Sequence, residues 1–159
     1  EKNRIKNKAR LVAGYCWNWV SKKAPTSFDI ELEQGEYKVR WNLASYGNEW
    51  IINPKSVDEV GCIHTCQGLE VDYVGVIIGD DLNVVNGKLV TNPKGRAKSD
   101  KSLNGYIGER KADPERADAK ADELIRNTYR TLMSRGMKGC YVYFTNPEVK
   151  QYFEEHLPN

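Results

Sequence analysis

The chain of 159 residues lacks any run near the ~20 consecutive apolar residues that a bilayer span requires. Its start, Glu1 to Lys6, is charged and has no apolar core of a secretory leader. A soluble chain follows, and the missing initiator Met marks an expected excised piece of a longer protein. Histidine is scarce, at 64 and 156 only, and the four cysteines stand at 16, 62, 66 and 140 rather than in Cys-rich loops. That distribution fits reduced thiols of a cytoplasmic protein. Cys62, His64 and Cys66 are the one local group of zinc-type ligands, but no second spaced pair accompanies them, so no metal is expected. The phosphate-cradling Gly-x-x-x-x-Gly-Lys-(Ser/Thr) loop is also missing, since Gly87-Lys88 precedes Leu89. Excess charge is small: a formal +2 and a pI near 8.3 do not by themselves argue for nucleic acid. Two local basic clusters, Lys2 to Arg10 and Lys94, Arg96, Lys98 and Lys101, can each touch phosphates or form a solvated face.

What is there follows an α/β order. Ala9–Cys16 reads as a strand after a basic lead-in, and residues 61–65 as a second, by alternation. Tyr73 to Ile78 is a continuous, β-branched apolar run, the mark of a strand buried on both faces, and a last strand is expected over 140–145. Residues 29–32 and 37–41 alternate around Gly35, and 82–90 surrounds Asn86-Gly87; both predict hairpins that decorate the sheet. Residues 92–113, rich in Lys, Gly and Ser, predict a mobile loop. Asp113-Pro114 opens a long helix with an apolar face through Ala117, Ala121, Leu124, Ile125, Thr128 and Leu132, ending near Gly136. Asn146-Pro147 opens a final amphipathic helix. A single domain over 1–159 is expected, with no internal repeat. Four tryptophans, at 17, 19, 41 and 50, suit either core packing or base stacking.

The segment His64 to Asp72, His-Thr-Cys-Gln-Gly-Leu-Glu-Val-Asp ahead of a buried strand, resembles motif V of superfamily 1 helicases. Asn127 to Gly139, a Tyr-containing helix ending in Ser134-Arg135-Gly136 and followed by a strand, resembles motif VI. Two motifs in the right order, each with its strand, weigh more than either alone. With the run over 9–17, these segments resemble the C-terminal part of a bacterial family of helicase-like P-loop ATPases, catalogued as a domain of unknown function and sometimes fused to a GIY-YIG nuclease. The resemblance implies a mainly parallel RecA-like sheet flanked by helices, with β-hairpin insertions, forming the second lobe of a motor. Gly79-Asp80-Asp81 then follows motif V and does not stand for the acidic metal-binding strand end of the first lobe.

Carried over position by position, the resemblance makes Arg135 the arginine finger, with Arg130 a second arginine five residues earlier, about 140° away on an ideal helix. Gln67 lies near the phosphates, Gly68 lets the backbone approach them, and Glu70 accepts a ribose hydroxyl. His64 and Thr65 link the ATP cleft to single-stranded nucleic acid, although His64 also suits a satisfied buried side chain. Val71 departs from the aromatic that often follows the motif V Glu. The implied partners are an N-terminal RecA-like lobe of the same protein and single-stranded nucleic acid, DNA ahead of RNA, with no membrane. ATP and Mg²⁺ belong to the full-length protein, and this chain alone is expected neither to hold nor to hydrolyse ATP, because cradle, lysine and metal site are elsewhere. A non-catalytic interaction module with a degenerate RecA-like fold is the alternative. A nuclease is a third reading, unsupported by any Asp…(Asp/Glu)-x-Lys arrangement on a strand pair.

Overall fold

The computed structural model describes residues 9–42, 50, 52–66, 68 and 70–157. The basic lead-in before Ala9, and Gln67, lie outside them. Six strands form one curled, mainly parallel sheet: β1 (Ala9–Ala13), β2 (Ile30–Leu32), β3 (Tyr37–Trp41), β4 (Glu59–Gly61), β5 (Val71–Ile78) and β8 (Gly136–Phe144), ordered β2-β3-β4-β1-β5-β8. Only β2 with β3 is antiparallel. Leu82–Val85 and Lys88–Thr91, β6 and β7, make a separate hairpin turned at Asn86-Gly87, both with positive φ. Helices are α1 (Tyr106–Ala112), α2 (Pro114–Met133) and α3 (Pro147–His156). The fold class is thus the α/β, RecA-like one expected. None of these helices is long and apolar enough to cross a membrane.

β5 is central because its residues suit burial from both sides: Val74, Val76 and Ile78 enter one core with Val12, while Ile77 enters the other with Ala13. The first core is closed by Ile125, Tyr129 and Leu132 of α2 and Val149 of α3. The second gathers Tyr15, Ile30, Val39, Val60 and Trp41, with Tyr15 stacked on Trp41 at 5.3 Å. Both long helices start as read. Asp113 accepts from Arg116 N at 3.1 Å and Asn146 from Glu148 N at 2.9 Å, each ahead of a proline.

Three expectations about the first half of the sheet are corrected. The first strand ends at Ala13, where the sheet face meets α2: a Cβ on Gly14 would lie 2.1 Å from the Tyr129 hydroxyl. The strand expected over 61–65 is instead β4, which stops at Gly61 because Cys62 O accepts from both Thr65 N and Cys66 N and winds the chain into a turn. The hairpin over 29–41 does not merely decorate, since β3 pairs in parallel with β4 and extends the main sheet.

Residues 92–113 are not loop throughout. They contain a 3-10 turn over Pro93–Gly95 and the helix α1. Their anchor is Arg96, whose Nε–H donates to Asp100 Oδ2 at 2.6 Å and whose Nη1 donates to Asp81 Oδ2 at 3.1 Å. All three side chains are at most 2% exposed. Burial alone lowers the arginine pKa, but Asp100 and Asp81 raise it by more. Asp81 Oδ1 accepts from the Tyr129 hydroxyl, which in turn accepts from Gly79 N at 3.2 Å. One buried polar cluster therefore ties the end of β5, the 96–102 segment and α2 together. Such groups belong inside only when they are paired like this.

Candidate functional site

The two motif-bearing turns meet at the amino ends of β5 and β8. Val71 pairs in register with Gly136, and Val71 N–H donates to Arg135 O at 3.0 Å. Glu70 and Arg135 therefore precede adjacent parallel strands on one sheet edge. Lys138 Nζ reinforces the junction with a 3.0 Å ion pair to Asp72.

Arg135 stands just past α2, because the helix ends at Met133 and Ser134 caps it. Half-buried, its Nε–H donates to Thr131 O and its Nη2 to Ser134 Oγ, both at 3.0 Å. Arg130 is exposed, donates to Asn127 Oδ1 at 3.0 Å, and acts electrostatically on Asp122 of the same helix. The two arginines thus serve different surfaces.

The motif V turn begins at the opposite edge of the sheet. Thr65 Oγ1 donates to Asn42 Oδ1 at 2.9 Å, and Asn42 N donates to Val60 O at 2.9 Å, fixing the turn beside the carboxyl ends of β3 and β4. Asn42 carries no sequence signal for this role, since it lies outside the motif and follows a strand that reads as a hairpin arm. His64 is exposed, so it is not a satisfied core histidine. Cys62 and Cys66 instead point inward. Burial, followed by the Cys62 charge, pushes the Cys66 thiol up to about 12, against the opposing field of Arg135. Among the described residues no three His, Cys, Asp or Glu side chains gather to hold a metal. Ile63 leans over α2 at a groove of about 420 Å³ that Thr131 also lines.

From there the chain crosses to the amino edge. Gly68 has φ +75°, a conformation side chains rarely adopt, and a Cβ there would meet nothing within 4 Å. Exposed backbone at Gly68, an exposed carboxylate at Glu70 and a half-buried guanidinium at Arg135 give this stretch both donors and acceptors. Gln67, which the motif pairs with them, lies outside the described residues.

Residues 1–146 match the family described as Schlafen group 3, DNA/RNA helicase domain. The match takes in both turns, α2 and β8, and ends just before α3. An uncharacterized protein of Saccharomyces cerevisiae is similar at 30% identity over 131 residues, 77% of this chain and 27% of that protein. The chain thus spans about a quarter of that curated relative's length. No solved structure matches.

Proposed function

We propose that this chain, which belongs to the Schlafen group 3 DNA/RNA helicase-domain family, is the C-terminal motor lobe of an ATP-driven nucleic-acid helicase or translocase. The family makes a helicase-like role the coarse reading. The observation that carries the finer one is the Val71 N to Arg135 O bond, which holds the motif V and motif VI turns side by side. ATP with Mg²⁺ would be held between this lobe and an N-terminal one, and supplies the phosphoryl group whose transfer drives movement.

On this reading Glu70 accepts a ribose hydroxyl, Gln67 and the Gly68 backbone lie against the phosphates, and Arg135 stabilises charge developing on the transferred group. In this chain alone the guanidinium is parked on its own helix end, with Nε on Thr131 and Nη2 on Ser134. His64 and Thr65, at the other edge, face single-stranded nucleic acid, DNA ahead of RNA. The setting is cytoplasmic. Kinship with the bacterial helicase-like family, including an upstream nuclease, rests on the segments at 9–17, 63–79 and 127–144.

The parked arginine also favours the alternative, a non-catalytic interaction module. Kinetics on the full-length protein separate the two. Arg135→Ala should leave nucleotide binding intact and cut nucleic-acid-stimulated ATP hydrolysis by roughly 10³-fold or more, with Arg130→Ala doing less. Near-wild-type turnover in Arg135→Ala would put the module ahead.

A further inference from the structure

We propose that the crevice between residues 93–100 and α1 binds single-stranded nucleic acid, with phosphates on Lys94, Lys98 and Lys111 and bases over an apolar floor. The inference deepens the motor-lobe reading, because it rests on nucleic acid being the track. The crevice has a volume of about 760 Å³, within the range of built ligand sites. Ala97, Leu103, Tyr106 and Ile107 line it, and Ile107 is 75% exposed.

Charge at the rim is one-sided. Lys94, Lys98 and Lys111 are exposed, while the surface carboxylates beside them are paired, Asp118 with Arg110 and Glu109 with Lys120. Asp100 is buried with Asp81 around the single cation of Arg96, which leaves three rim cations against one buried negative charge. What the rim offers a partner is therefore net positive. Lysines around an apolar floor suit a chain that alternates anionic groups with flat, weakly polar ones, which describes phosphates and bases. An acidic peptide would satisfy the lysines and leave Ile107 in water.

The wall is also fixed. Ala97 N–H donates to Tyr15 O at 2.9 Å, and the buried Arg96 cluster holds the segment on either side of it. Tyr15 follows β1, so the crevice opens at the carboxyl edge of the sheet, the edge that also carries Thr65 on Asn42. Glu70 and Arg135 are at the other edge. Track and nucleotide are thus assigned to opposite edges of one sheet.

The test is fluorescence anisotropy of a labelled oligothymidylate of about 12 nucleotides, titrated with this chain at several NaCl concentrations. The variant Lys94→Glu/Lys98→Glu/Lys111→Glu is compared with a charge-matched control, Lys55→Glu/Lys88→Glu/Lys150→Glu. Losing three phosphate contacts should flatten the slope of log affinity against log salt by about 2 and weaken binding roughly a hundred-fold at 0.1 M relative to 1 M. The control should retain the wild-type slope. Ile107→Ala should weaken binding without changing the slope. All these lysines are exposed, so circular dichroism should report unchanged folding.

Equal losses in variant and control, no binding by the unmutated chain, or polyglutamate competing as well as the oligonucleotide would each overturn the crevice. Failure here leaves the motor reading to the Arg135→Ala kinetics. A crevice that passes while those kinetics fail would mark a nucleic-acid-binding module without a motor.

Discussion

Arg96→Met removes a guanidinium from between two buried carboxylates while keeping a side chain of similar length. The wild-type side chains of Arg96, Asp81 and Asp100 are 2%, 0% and 2% exposed. After substitution Asp81 keeps its bond from Tyr129, and Asp100 keeps those from Ser102 N at 2.9 Å and Ser102 Oγ at 2.7 Å. Both carboxylates are left buried without a counter-charge. Breaking a buried pair from one side costs about 3–5 kcal/mol. Against the roughly 5–15 kcal/mol that stabilises a domain, that is about 30–50% of the total in the middle of the range. Urea denaturation followed by tryptophan fluorescence is the assay, since Trp41 and Trp50 are buried and report unfolding. A loss under about 1 kcal/mol at pH 7 would mean that the cluster does no more than an apolar filling of the same shape.

Tyr129→Phe deletes one donor to Asp81 and one acceptor for Gly79 N, and should cost about 1–3 kcal/mol in the same urea titration. The Asp122 carboxyl is held below its usual range by the hydrogen bond from Arg126, against burial. Its contribution to stability is therefore present above the unfolded pKa of 3.8 and lost as pH falls through the lower folded value, so Asp122→Asn should flatten the melting temperature against pH in that acid window. Under native conditions a thiol reagent should label exposed Cys140 first and leave Cys66, at 0% exposure with a thiol near 12, until the chain unfolds. Rapid labelling of Cys66 in a folded sample would remove it from the core.

Where local chemistry decides an element, the sequence was sufficient. The Asp-Pro and Asn-Pro starts of α2 and α3 act within their own first turn, and the β-branched run of β5 declares burial on both faces. The order of the motif turns was equally legible, because it is a pattern along the chain. Strand β4 ends earlier than its pattern predicts, since Gly61 to Thr65 alternates like a strand while the two bonds that wind the chain into a turn converge on one carbonyl, Cys62 O. Arg96 stands in the sequence as one of four cations, with Lys94, Lys98 and Lys101, that suit either phosphate contact or a solvated face. Nothing adjacent distinguishes it, and its second partner, Asp81, stands fifteen residues earlier. For the candidate site, Arg135 and Glu70 were each named from a motif, yet their shared edge depends on the pairing of Val71 with Gly136, sixty-five residues apart in sequence. Long-range register of that kind has no local signature.

The length of α2 has a mechanical consequence. Its 20 residues make a rod about 30 Å long. Near its first turns Asp118 and Lys120 are clamped to α1, which lines the crevice, and just past its last turn stands Arg135. Tyr129 pins the rod to the end of β5. Tilting such a lever by about 10° about that pin moves its α1 end by about 4 Å and the Arg135 end by about 1.5 Å. A shift of that size at a guanidinium is enough to make or break a hydrogen bond to a phosphate. A strand pulling on α1 and an arginine changing place would then be two ends of the same stiff piece, and no chain of intermediate side chains would be needed to connect them.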